Sequence, residues 1–193
     1  ASKQASKQAS KQATWLIDLV ALDELCISLP KGTLTQSELI STGSYNVINS
    51  GRDYYGKYDK FNNEGNAFTF ASRGEYAGFV NYHNDKFWAG GLCYPYRSND
   101  ESKVLTKYLY YYCKYIEPDI MNKYVAQGSI PALNKSDLSK VKIPVPHIAE
   151  QYRIISILDK FETICNNLCE GLPAEIDLMT KKYEYYRDLL LSF

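Results

Sequence analysis

Histidine is almost absent from this 193-residue chain, which has only His83 and His147. The five cysteines, Cys26, Cys93, Cys113, Cys165 and Cys169, are odd in number and scattered. Cys165 and Cys169 stand four apart, the spacing of two ligands on one helix face. No Cys or His pair elsewhere completes a four-ligand set, so no metal site is expected. The thiols read as reduced packing residues. No apolar run approaches the roughly 18 to 20 residues that span a bilayer, and no charged start leads into an apolar secretion segment. The expected setting is cytoplasmic, without membrane contact. An excess of charge is missing too, because 22 Lys+Arg balance 22 Asp+Glu. That counts against a uniformly basic nucleic-acid binder.

The motifs of catalysis are also missing. There is no Asn-Pro-Pro-Tyr or Asp-Pro-Pro-Tyr, no glycine-rich cofactor loop after a strand and no Walker A loop. Asp85 with Glu101-Ser102-Lys103 imitates a magnesium nuclease site, but Asn-Asp stands where Pro-Asp is usual, and chance meets such a spacing easily. A non-catalytic chain with no cofactor of its own is expected.

What is present is apolar and aromatic: 45% hydrophobic residues and 18 tyrosines, the composition of a folded protein. The length allows one good core with helical extensions. Short β-rich runs at Tyr45–Ile48, Ala67–Ala71, Ala77–Tyr82 and Phe87–Tyr96 are separated by Gly, Asn and Asp clusters, as in a small twisted sheet. Lys103–Ile116 reads as a helix that stops at Pro118, and Asp119–Val125 as a second, short one. After Pro146 the texture changes. Ile154, Leu158, Phe161, Cys165 and Leu168 fall at steps of 4, 3, 4 and 3, the seam of a coiled coil. Gly171 and Pro173 mark a stop and a restart. Leu172, Ile176, Met179, Tyr183, Tyr186 and Leu190 then repeat the rule. The fold class is α+β: a small twisted β-rich domain with a few helices, then long coiled-coil-forming helices. Residues 1–12 are three copies of Ala-Ser-Lys-Gln, either a linker or a helical extension. As a helix each copy adds about 6 Å.

Three stretches carry a resemblance. The first is Ile143-Pro144-Val145-Pro146, then Glu150-Gln151 and Ile154 to Phe161, then Glu170 to Ile176, and Tyr183 to Phe193. The second is Phe68 to Gly74 with Ala77 to Val80 and Phe87-Trp88-Ala89. The third is Gln127-Gly128-Ser129-Ile130-Pro131 with Leu133 and Asp137-Leu138. Together they resemble specificity subunits of type I restriction-modification enzymes, with one target-recognition domain and one helical region where full-length members have two of each. The resemblance implies a tetrapeptide-repeat spacer helix over 1–13, a target-recognition domain over 14–147 and a spacer and docking region over 148–193. It implies recognition of half of a bipartite target in double-stranded DNA. The implied protein partners are methyltransferase subunits, a restriction subunit reached through the complex, and a second copy or second half-subunit. S-adenosylmethionine, ATP and magnesium would belong to those partners. A silent or phase-variable recognition cassette and a structural coiled-coil protein are the alternatives.

Candidate DNA contacts follow from residue chemistry. Arg73, beside Ser72 and Gly74, suits a guanine edge or a phosphate. Lys31-Gly32-Thr33 offers ammonium, amide and hydroxyl to phosphate. Gln127-Gly128-Ser129 pairs a base-edge amide with a close-approach glycine. Asn49, Arg52 and Tyr54 form a polar aromatic loop, and Lys135 and Lys140 are candidate phosphate contacts. Ile154, Leu158, Phe161, Leu168, Ile176, Met179, Tyr183, Tyr186 and Leu190 are the candidate helix-pairing residues.

Overall fold

The computed structural model describes residues 17–167 and 173–193. Its centre is strand β5, which is buried along its whole length. To introduce the strands in order, β1 is Asp18–Ala21, β2 Cys26–Ser28, β3 Tyr45–Ile48, β4 Gly56–Tyr58, β5 Ala67–Ala71, β6 Val80–His83, β7 Phe87–Ala89 and β8 Cys93–Ser98. Side chains alternate across a strand, and β5 puts residues of different size on its two faces. Phe68 and Phe70 face one side, and the small Ala67, Thr69 and Ala71 face the other. A four-stranded antiparallel sheet of order β2-β8-β5-β6 forms around it.

Against the phenylalanine face packs helix α2 (Thr106–Tyr115), the first long helix after the single turn α1 (Leu22–Leu25). Tyr108, Leu109 and Tyr111 join Phe68, Phe70 and Tyr96 in one buried cluster. Each fully buried large apolar side chain contributes about 1.5–3 kcal/mol, so this face carries much of the stability. On the small-residue face lies a three-stranded sheet of order β4-β3-β7, in which β3 and β7 run parallel. Ile48, Ala67, Phe87, Ala89 and Cys93 fill the space between the two sheets.

Helix α3 (Glu117–Tyr124) follows α2, then the short ribbon of β9 (Val125–Ala126) and β10 (Ala132–Leu133), the single turn α4 (Lys135–Leu138) and β11 (Lys142–Val145). Strand β11 returns to pair antiparallel with β1, Val20 opposite Ile143, and closes the two ends of the β-rich region on each other. Two long helices end the chain, α5 (Ile148–Asn167) and α6 (Pro173–Leu191).

The mixed α+β reading holds, and several boundaries are corrected. The Ala77–Tyr82 run yields a strand only from Val80, because the backbone turns first. The Phe79 N–H donates to Tyr76 O at 2.9 Å, and Gly78 has φ +95°. The Phe87–Tyr96 run is two strands divided by Gly90-Gly91-Leu92. Helix α2 starts at Thr106 instead of Lys103, since Leu105 is extended (φ −80°, ψ 133°) and gives its N–H to the distant Gln151.

The helix seam is also redirected. Ile154 and Leu158 are fully buried in the same cluster as the sheet and α2, and Leu191 joins them. Helices α5 and α6 pack on each other, with Phe161 stacked on Tyr186 at 5.0 Å and 23°. Leu158 therefore does not face a second chain; its own chain already covers it. Met179, Tyr183 and Leu190 are half-buried, and Tyr186 is 41% exposed. The side chains of Leu168, Ile176, Cys165 and Cys169, and the Ala-Ser-Lys-Gln repeats, lie outside the described residues. No described helix is long and apolar enough to cross a membrane.

Candidate nucleic-acid interface

Two groups of loops at the ends of these strands hold most of the nominated residues. In the first, Pro30-Lys31-Gly32 crosses the end of β7. The Gly32 N–H donates to Ala89 O at 2.9 Å. A Cβ on Gly32 would sit 2.5 Å from Trp88 Cζ2, so only glycine lets the chain lie on the indole. Lys31 extends over the Tyr94 ring, 5.1 Å from its centroid, and donates from Nζ to Gly91 O at 3.0 Å. Asn49, just past β3, accepts the Leu92 N–H on Oδ1 at 2.9 Å, while the Gly90 N–H donates to Ile48 O. Thr33 stands exposed beside this knot.

The second group is tied to the first through Ser72. Its N–H donates to Leu92 O and its carbonyl accepts the Leu133 N–H, both at 2.9 Å. Ser72 is buried at 8%, so it serves through its backbone. Arg73 next to it bridges antiparallel to Ala132, and the Gly74 N–H donates to Pro131 O at 2.9 Å. With φ +95°, Gly74 sits where side chains are strained. The β9–β10 ribbon thus docks beside the Ser72–Gly74 turn and presents Gln127, Gly128, Ser129 and Ile130 to solvent, Ile130 at 60% exposure. The Tyr94 hydroxyl donates to Leu133 O at 3.1 Å. Lys135 reaches Ser28 Oγ at 2.9 Å, which ties its ammonium to the end of β2, the strand paired with β8.

One rim therefore gathers Lys31, Gly32, Thr33, Asn49, Arg73, Gln127–Ser129 and Lys135. Lys140 is not drawn into it; its nearest acid is Asp137, at 4.0 Å. Arg52 and Tyr54 belong to the loop that continues from Asn49. The Arg52 guanidinium lies 5.9 and 5.3 Å from the ring centroids of Tyr76 and Phe79. Tyr54 is 50% exposed.

Sequence reasoning missed the residues that shape this rim. Asn62 pairs its side chain with the Ala89 backbone in both directions, Nδ2 to O at 3.0 Å and Oδ1 from N–H at 2.7 Å. Asn63, 4% exposed, donates to Pro30 O at 2.8 Å and to Asn62 Oδ1 at 2.7 Å. Together they brace the 30–33 and 89–92 loops. In sequence the pair reads as a turn, and its only signal is two adjacent carboxamides between hydrophobic runs, which also fits an ordinary loop.

Comparison with known proteins agrees with this architecture. The family model described as the type I restriction modification DNA specificity domain matches residues 17–178. The chain belongs to that family. The specificity subunit of the EcoR124I/EcoR124II enzyme of Escherichia coli is 48% identical over 91 residues, 47% of this chain and 22% of that protein. The MpnII specificity subunit of Mycoplasma pneumoniae is 32% identical over 130 residues, 67% of this chain and 38% of that one. The crystal structure of a type I specificity subunit from M. genitalium superposes with a TM-score of 0.70 at 25% identity, covering 82% of this chain and 43% of that chain. An HsdS subunit from Thermoanaerobacter tengcongensis shares the fold at 18% identity and TM-score 0.60, covering 98% of this chain and 52% of that one. The match thus spans 22% and 38% of the two curated relatives and about half of the two solved chains.

Proposed function

We propose that this specificity domain reads one half of a bipartite target in double-stranded DNA, while α5 and α6 form the coiled-coil spacer that docks methyltransferase subunits at a fixed distance. A second copy, or a second recognition half, would read the other half-site. The observation that carries the reading is the rim, where loops far apart in sequence meet with contact groups left over. Among the described residues, the side chains of Thr33, Arg73, Gln127 and Ser129 make no hydrogen bond or ion pair inside the chain. Gly128 has open space where a Cβ would stand, so its bareness serves no internal contact and leaves room for a partner's approach. Lys31, Arg73 and Lys135 supply cationic groups for phosphate on a chain of zero net charge. Arg73 is the base-reading candidate, because guanidinium matches the guanine edge in two hydrogen bonds. Methyl transfer and ATP-driven cleavage would take place on the partner subunits, with their own S-adenosylmethionine, ATP and magnesium.

The test is to express the chain with its modification subunits and map methylated adenines across the host genome. A bipartite motif that depends on the chain is expected. Arg73→Ala should relax the motif at one position if Arg73 reads a base, or lower methylation at all sites if it holds a phosphate. Methylation indifferent to the chain overturns the reading.

A further inference from the structure

A loop that reads bases in a groove projects outward. The loop from Asn49 to Tyr55 instead curls around two adjoining hollows. One, of about 320 Å³, is lined by residues 50–55 and Tyr76. The other, of about 200 Å³, runs inward between Arg52, Asp53 and Tyr54 to Asn81, Tyr82 and His83 of β6. Arg52, Asp53 and Tyr54 line both. Asn81 and His83 share one strand face, with Thr69 directly opposite Asn81 in the ladder.

The inner end is unusual. His83 lies flat on Phe87, with centroids 4.1 Å apart at 22°, and its Nε2 is 3.0 Å from Thr69 Oγ1. Its Nδ1 is buried and has no hydrogen-bond partner among the described residues. A buried polar atom left unpaired costs about 1–3 kcal/mol, a cost shared here by Asn63 Oδ1, Trp88 Nε1 and the Tyr96 hydroxyl. Burial alone pulls the His83 imidazole down to about 4, so it is a neutral group at the inner end of the hollow. Asn81 gives one hydrogen bond, Nδ2 to Gly51 O at 3.4 Å, and its amide oxygen accepts none among the described residues. Arg52, steadied over Tyr76 and Phe79, makes no ion pair among the described residues. The Tyr54 ring lies 6.1 Å from that of His83.

The hollows therefore combine aromatic walls with donors and acceptors of both senses. A phosphate does not suit them, because the Asp53 carboxylate would repel it. A greasy ligand would strand the amide and imidazole. Small-molecule sites begin at about 300 Å³, which restricts the occupant to one small ring system. A planar, uncharged heteroaromatic ring with donors and acceptors along its edge meets every requirement. We propose that this site takes a single nucleobase turned out of its stack, with Tyr54 against its face and Arg52, Asp53 and Asn81 at its edge. The inference rests on the DNA-reading function above. It adds that recognition includes capture of an extrahelical base, which costs a few kcal/mol of unstacking and is read by edge hydrogen bonds and stacking.

Saturation-transfer NMR of the full chain with adenosine, guanosine, cytidine and thymidine at millimolar concentration tests this directly. Saturation of the base protons of at least one nucleoside is expected, with a drop of at least about five-fold in Tyr54→Ala and in Asn81→Ala. Lys181→Ala, on the exposed side of α6, should leave the signal unchanged. If either site variant fails to fold, the wild type alone decides through intermolecular NOEs from base protons to the Tyr54 or His83 ring. Absence of both saturation and NOEs, or equal saturation in all variants, overturns the site. Duplex binding by the assembled complex is measured separately. If it persists when nucleoside capture fails, DNA reading stands and only the base pocket falls. If nucleoside capture holds without it, the pocket stands and the DNA reading falls.

Discussion

Replacing Gln151 with alanine tests how the terminal helices are joined to the sheet. The residue is fully buried in the first turn of α5. Its Oε1 accepts the Leu105 N–H, and its Nε2 donates to the carbonyls of Lys103 and Pro146, all at 2.9 Å. One carboxamide thus satisfies three backbone groups from two segments at the point where α2, α5 and the end of β11 meet. Each hydrogen bond contributes a net of about 1 kcal/mol, and an unpaired buried amide costs about 1–3 kcal/mol more. Gln151→Ala should therefore destabilise the chain by about 4–6 kcal/mol, a large part of the 5–15 kcal/mol typical of a folded domain. For this length the melting temperature should fall by roughly 8–24 °C. Gln151→Glu should come close to the same loss at pH 7, since both donors become acceptors facing carbonyl oxygens. The neighbouring Arg153, whose pair with Glu150 is exposed, is the control, and Arg153→Ala should cost no more than about 1 kcal/mol. Urea titrations followed by circular dichroism read all three. A Gln151→Ala protein within about 1 kcal/mol of wild type, or an Arg153→Ala protein as unstable as it, refutes the reasoning.

Two further perturbations probe the rim and its floor. His83 is held neutral by burial, at about 4 against a normal 6.5, so between those values the unfolded chain binds the extra proton. Stability from this group is complete above pH 6.5, falls as the pH drops toward 4 and then levels off, a loss of about 3 kcal/mol; urea midpoints at pH 7 and 4.5 should differ accordingly in wild type, and a His83→Gln protein with the same pH slope would assign the effect elsewhere. Asn63→Ala removes the hydrogen bond to Pro30 O and loosens the 30–33 loop against β7. Amide exchange at Gly32 and Ala89 should accelerate by roughly ten-fold to a hundred-fold, as about 1–3 kcal/mol of local protection is lost, and unchanged exchange at both amides would show that the loop holds without Asn63.

The sequence discloses local elements because they depend on neighbours, and conceals the contacts that assemble them. Strands β3 and β5 fall where alternation and turn residues place them, and the Gln127–Pro131 motif stands on a loop. The β1–β11 pairing joins Asp18 to Val145, and no local pattern announces it: β11 is Lys-Ile-Pro-Val with Pro146 directly after it, a proline-containing stretch that propensity assigns to a loop. The start of α2 is set in the same way, by a glutamine 46 positions further on. The seam of α5 was legible as an apolar stripe. A stripe specifies that something packs against it without specifying what, and here α2, also rich in apolar residues and tyrosine, takes Ile154 and Leu158 before any second chain can.

The rim follows the same logic with charge. Counted over the chain, the charges cancel, which on composition alone weighs against DNA. Phosphate responds to the local arrangement, because screening confines an exposed charge to roughly 8–10 Å at ordinary ionic strength. Lys31 and Lys135 come from positions about a hundred residues apart, yet Lys31 lies over Tyr94 of β8 and Lys135 is bonded to Ser28 of β2, the strand that pairs with β8. Many of the balancing acids lie elsewhere: residues 148–193 alone hold Glu150, Asp159, Glu162, Glu170, Glu175, Asp177, Glu184 and Asp188. Folding thus separates a neutral composition into a cationic rim and acid-rich terminal helices. A face of that kind is built by long-range backbone pairing, so it becomes legible only once Ser72, Leu92 and Leu133 have been joined.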